Sequence, residues 1–232
     1  MLFERGSLHR ARRGTIEQRS VIDKEFGLCI NHRMNFSSQY LKECIDVIQA
    51  LPVAPIEALT ERLARCRAEQ GRVFVLGVGG SAASASHLVN DLRKLCQIET
   101  YAPTDNVSEL TARTNDEGWA SSFIGWLKVS RLCKTDVVFI LSVGGGDAEK
   151  NISPNLVEAL KYAREVGAGI VGVVGRNGGY TAQVADACVI VPVVNAQHIT
   201  PHTEAFHSVV GHLLVSHPNL KAAPTKWESA VK

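Results

Sequence analysis

His87 and Asp91 stand four residues apart. In a helix that spacing puts both side chains on one face, one turn apart. An imidazole beside a carboxylate can move a proton or hold a cation. A second group lies far downstream, in Thr200-Pro-His202-Thr-Glu204-Ala-Phe-His207-Ser-Val-Val-Gly-His212. Together His87, Asp91, Glu204 and His212 offer Zn2+ an N2O2 ligand set. Glu204 and His212 are eight residues apart, about 12 Å of helix rise. Both reach one ion only if Glu204 sits at a frayed helix start and the two side chains lean together. His207 is the alternative to either. The plainer readings are a polar outer face for His87 and Asp91, with Asn90 and Arg93, and a hydrogen-bonded core histidine for His212 among Val209, Val210, Leu213 and Leu214.

Two glycine-serine stretches supply a different chemistry. Gly77-Val-Gly-Gly-Ser81 joins an apolar run to a helical one. Gly79 and Gly80 let the backbone approach an anion, the helix start offers free N–H groups, and Ser81 adds a hydroxyl. Leu141-Ser-Val-Gly-Gly-Gly-Asp147, followed by Asn151-Ile-Ser153-Pro154, repeats the pattern after a second apolar run. Ser142, Gly144, Gly145 and Ser153 could cup the same anion. Neither stretch is a dinucleotide fingerprint or carries the Walker lysine. One such loop reads as a capped turn, but two at two strand ends point to a phosphorylated ligand.

The elements that position these residues follow from hydrophobic period. Helices are predicted over 37–51 and about 55–69, the first stopped by Pro52. Short apolar runs at 72–77, 98–101, 136–141, 169–174 and 188–191 read as strands, the second of them weak. Helical spacing recurs at 81–96, 119–132, 154–166, 181–185 and 202–215. Strand alternating with helix predicts an α/β fold of three layers, a parallel sheet covered on both faces. Ligands then sit at the carboxyl ends of the strands. The two leading helices lie outside the alternation, so burial of their apolar faces against a partner subunit is expected. Residues 1–33 read as a flexible basic segment, 34–220 as the domain and 221–232 as a loose tail.

Composition limits the classes. The chain has 232 residues, 45% hydrophobic and 21% charged, which excludes disorder. A net charge of +2 gives no basic excess for nucleic acid. Six cysteines without a Cys-x-x-Cys pair read as free thiols of a cytoplasmic protein. The arginines before residue 20 lack the apolar core of a secretory signal, and no run approaches the ~18 apolar residues of a membrane span.

These stretches together resemble the sugar isomerase (SIS) family, and within it the phosphoheptose isomerases, over about residues 34–217. The family's glycine loop, Gly-Asn-Gly-Gly-Ser-Ala-Ala, matches Gly77-Val78-Gly-Gly-Ser81-Ala-Ala83, and its histidine matches His87. Its catalytic glutamate falls on Asp91, and its phosphate serines on Ser142 and Ser153, with Gly144 where a further serine is expected. Its Asn-Asp falls on Asn115-Asp116, and its terminal Gln…His pair on Glu204 and His212. The departures are Val78, Gly144, the shorter Asp91, the charged Glu204 and about four extra residues in the Gly144–Asn151 loop. The resemblance implies a homotetramer (or dimer) with pockets between subunits, one Zn2+ per subunit and a phosphosugar aldose–ketose isomerisation. Sedoheptulose 7-phosphate is the leading substrate, Asp91 the base and His212 the acid, with Asp105 on sugar hydroxyls. The alternatives are an isomerase of another phosphosugar, or a non-catalytic SIS protein that binds a phosphosugar or associates with a replication initiator. No nucleic acid or membrane partner is expected.

Overall fold

A computed structural model describes residues 35–230. The expected flexible segment 1–33 lies outside the described residues. The chain divides into two compact units, residues 1–40 and 41–232, and the second carries the sheet.

Helices α1 (Phe36–Ala50) and α2 (Val53–Ala68) are separated by Pro52, which caps the second. Strands β1 (Val73–Leu76), β2 (Thr100–Tyr101), β3 (Val137–Ser142), β4 (Gly169–Val174) and β5 (Ala187–Ile190) form one parallel sheet in the order β2-β1-β3-β4-β5. Val73 pairs with Val137 and Leu76 with Ile140. The order reverses between β1 and β3, and the crevice at such a reversal is where open α/β sheets bind ligands. Both glycine stretches leave the sheet there.

The strands are apolar on both faces because both faces are covered. Val73, Val75, Phe139 and Val173 pack with α2, α3 (Gly80–Cys96) and α8 (Ile199–Ser216). Phe74, Leu76, Ile140 and Val174 face the other layer. That layer holds Phe123 and Leu127 of α5 (Ser122–Val129) and Leu156 and Leu160 of α6 (Pro154–Glu165). This is the three-layer α-β-α architecture. At the amino-terminal end of the sheet, buried Asp136 accepts bonds from the Arg72 main chain at 2.8 Å, Arg72 Nη2 at 2.7 Å and the Cys133 amide at 3.0 Å. Burial works to raise the Asp136 pKa, but the Arg72 bonds outweigh it and hold the carboxyl below its usual range.

Several elements differ from expectation. The leading helices do not wait for a partner: α2 buries Ile56, Leu59, Leu63 and Cys66 in the chain's own core, and α1 buries Val47. Leu41, Ile45 and Ile48 of α1 remain exposed. Helix α4 (Val107–Asp116) carries no apolar stripe and buries no residue, so periodicity misses it. It is held by Asn106, which accepts from the Glu109 amide, and by the Glu109–Arg113–Glu117 pairs. The helix expected over 119–132 is a short 3-10 turn followed by α5. Among the described residues the remaining α-helices are α7 (Gly179–Val184) and α9 (Lys226–Ala230). The last lies in the expected loose tail, where the Ala222 and Ala223 amides also bond the Leu95 carbonyl.

Candidate active site at the β1–β3 crevice

Helix α3 begins directly after β1, so its first turns rise from the crevice. His87 and Asp91 occupy one of its faces, and His212 comes from the last half of α8, 125 positions away in sequence from His87. Their atoms converge. His87 Nε2 lies 3.0 Å from His212 Nε2. Asp91 Oδ2 lies 3.3 Å from the first nitrogen and 3.6 Å from the second. Asn90 Nδ2 donates to the other carboxylate oxygen at 2.9 Å, which turns Oδ2 toward the imidazoles. The Asp91 side chain is 12% exposed, whereas those of His87 and His212 are more than half exposed.

These three residues fit a metal. Tetrahedral zinc with bonds of about 2.0–2.2 Å sets its ligand atoms about 3.3 Å apart, close to the three separations here. Two Nε2 atoms facing each other also need either one shared proton or a common cation. The hollow among Leu88, His207, Gly211 and this group is about 10 Å3, room for a water or an ion and not for a sugar.

The other residues singled out by sequence fall elsewhere. Glu204 is not in the group. Its carboxylate lies over Gly80, where an added Cβ would stand 2.5 Å from Oε1. An acid of the chain itself thus faces the helix start that the sequence assigns to an anion. Gly79 adopts φ +62° there, and Ser81 is buried. His207 is buried, and burial pushes its pKa down to about 4. The main chain of Val173 and Ser142 opposes this weakly, and neither closes a hydrogen bond to the ring. Asp105 bonds Ser86 of α3. Asn115 and Asp116 are exposed at the end of α4 and bonded to each other at 2.7 Å.

The second glycine stretch is a braced turn. Ser142 Oγ accepts from the Gly145 amide at 3.0 Å, and the Gly145 carbonyl accepts from Thr181 N and Oγ1 at 2.9 and 2.8 Å. Asp147 and Ile152 pair as a small antiparallel bridge, so the extra residues form a hairpin. Ser153 starts α6 at φ +49°. A cleft of about 310 Å3 opens here, lined among others by Gly144, Gly146, Lys150, Arg176 and Tyr180, with Asp147 and Glu149 also on its wall.

A match to the SIS domain covers residues 38–175. The chain belongs to the SIS domain family. It is 36% identical to the phosphoheptose isomerase of Rhodospirillum rubrum over 149 residues, 62% of this chain and 73% of that protein. It is 33% identical to the phosphoheptose isomerase of Syntrophotalea carbinolica over 180 residues, 75% of this chain and 86% of that protein. The solved phosphoheptose isomerase of Neisseria gonorrhoeae is similar with a TM-score of 0.68 at 25% identity, covering 78% of this chain and 96% of that one. These relatives place the chain among the sugar-phosphate isomerases of the SIS family.

A second group of ligand-type side chains, Glu43, His198 and His202, escaped the sequence reading. Two signals were available: the i, i+4 spacing of the histidines, and a glutamate one turn before buried Val47.

Proposed function

We propose that the chain is a phosphosugar aldose–ketose isomerase, with sedoheptulose 7-phosphate as substrate and D-glycero-D-manno-heptose 7-phosphate as product. The observation that carries this reading is the convergence of Asp91 Oδ2 on the Nε2 atoms of His87 and His212. The isomerisation moves a proton from the carbon beside a carbonyl to the neighbouring carbon and shifts the double bond through an enediol. Asp91 takes the carbon proton, and its buried carboxylate, oriented by Asn90, is set for that step. His212 delivers a proton to the carbonyl oxygen and later takes one from the adjacent hydroxyl. Zinc, held by His87, Asp91 and His212, would supply Lewis-acid polarisation of the carbonyl. Three protein ligands leave a position for substrate oxygen.

The phosphate belongs at the 142–153 turn, whose cleft is reached by Lys150 and Arg176. Binding there, remote from the reacting carbons, positions them. The small hollow at the triad means the sugar chain lies on its open side. Val209 and Leu213 flank His212 there and are exposed. The reading therefore includes a homotetramer in which a neighbouring subunit closes the pocket. No helix among the described residues is long and apolar enough to cross a membrane, and the proposed site of action is the cytoplasm.

The test is turnover of sedoheptulose 7-phosphate in deuterated water. Wild type should form the aldose and incorporate solvent deuterium at the former carbonyl carbon, which gains the proton. Asp91→Asn should lower kcat by about 10^2- to 10^4-fold. Equal rates would remove the base assignment. Binding of the sugar phosphate without turnover by wild type would favour the non-catalytic alternative.

A further inference from the structure

Glu43 is 2% exposed on α1, within the second unit of the chain. His198 is the residue before α8, and His202 lies one turn into it. Both rings aim at one carboxylate oxygen: Glu43 Oε2 is 2.8 Å from His198 Nδ1 and 2.9 Å from His202 Nε2. The ligand atoms of all three residues lie within 4.8 Å of one another.

The contact between Glu43 and His198 must hold either a proton or a metal ion. Asn195 Oδ1 accepts from the Gln197 amide at 2.9 Å, and Nδ2 donates to Glu43 Oε1 at 2.8 Å. Those two bonds fix which end of the amide is NH2. That NH2 also stands 3.1 Å from His198 Nδ1. Against that donor the ring nitrogen would accept. Yet the same nitrogen stands 2.8 Å from a carboxylate oxygen, another acceptor. The pair is satisfied by a proton on either atom or by a bound cation.

We propose that Glu43, His198 and His202 form a second site for a divalent transition-metal ion of the zinc type, separate from His87, Asp91 and His212. Two imidazoles and one carboxylate are a ligand set zinc takes. Tetrahedral ligation needs ligand atoms about 3.3 Å apart, so the group opens by about half an ångström. Asn195 holds the non-ligating oxygen of Glu43, and Cys44 Sγ stands 3.9 Å from the far nitrogen of His202. Both are outer partners of the kind that orient metal ligands. The ion would join α1 to the start of α8, 155 positions apart from Glu43 to His198. The inference is independent of the isomerase reading, because none of its ligands belongs to the first triad.

The test uses the full-length chain with His87→Ala and His212→Ala, which removes both imidazoles of the first triad. Stripped of metal and titrated with Co2+ alone, this variant should bind one equivalent with visible ligand-field absorption. Adding Asn195→Ala should weaken the binding about 10- to 100-fold, and adding His202→Ala should abolish it. Absence of saturable Co2+ absorption in the His87→Ala/His212→Ala chain overturns the site, whether or not the His202 variant folds. Absorption unchanged by His202→Ala in a folded chain overturns it too.

Discussion

Neighbouring glycines at the phosphate turn should respond to substitution in opposite ways. Gly144 has no positive φ, and a Cβ built on it meets nothing within 4 Å. Gly145 sits at φ +70°, and its added Cβ would fall 2.0 Å from the Gly178 carbonyl oxygen. An L-residue in that conformation costs about 1–2 kcal/mol. The 178–181 segment must also retreat, which loosens the bonds of Tyr180 N to the Gly146 carbonyl and of Thr181 N and Oγ1 to the Gly145 carbonyl. Each is worth about 1 kcal/mol, so Gly145→Ala should destabilise by roughly 4 kcal/mol. Gly144→Ser should stay within about 0.5 kcal/mol of wild type. Urea unfolding at pH 7.5 followed by circular dichroism separates the two. With a slope of about 2.5 kcal/mol per molar, the Gly145→Ala midpoint should fall by roughly 1.5 M, while that of Gly144→Ser stays in place. The serine also supplies the hydroxyl that the family resemblance leads one to expect at this position. KM for the phosphorylated ketose should then fall by up to about tenfold. Equal midpoints for the two variants would refute the claim that the turn is braced against residues 178–181.

Glu204→Gln removes the charge lying over Gly80 and should lower KM for a phosphorylated substrate with little change in stability; an unchanged or raised KM in steady-state assays counts against any anion near that helix start. His207, held down to about 4 by burial, contributes fully to stability above the unfolded value of about 6.5 and loses that contribution as pH falls toward 4. His207→Leu should therefore gain about 3 kcal/mol relative to wild type between pH 7.5 and pH 4, and a pH-independent difference in urea unfolding would dismiss the buried neutral imidazole. Dialysis against a strong chelator should abolish isomerase activity, and added Zn2+ should restore it; activity untouched in chain shown to be metal-free would remove the metal from the first triad.

The sheet was legible because its strands are short apolar runs entering glycine and its helices are amphipathic. The convergence of His87, Asp91 and His212 could only be hinted at, since spacing gives a shared face but not which helix packs across from it. Glu204 illustrates the limit: its type and position suit a metal ligand, while the fold sets its carboxylate over Gly80. Helix α4 was invisible because ion pairs rather than an apolar stripe support it. The Glu43 cluster was missed for a similar reason. A carboxylate on a leading helix gives no sign of its partner until the packing of α1 against the start of α8 is known.

The Arg72–Asp136 clasp ties the feet of β1 and β3, at the opposite edge of the sheet from the reactive turns. A slip of one residue between these strands would turn every side chain to the wrong layer, and the clasp penalises that error where no ligand is bound. The rim is thereby free to vary. Trimming or extending the 147–152 hairpin changes mainly loop-closure entropy, about 0.6 kcal/mol per doubling of length, so the loop at the top can change length while the foundations stay aligned.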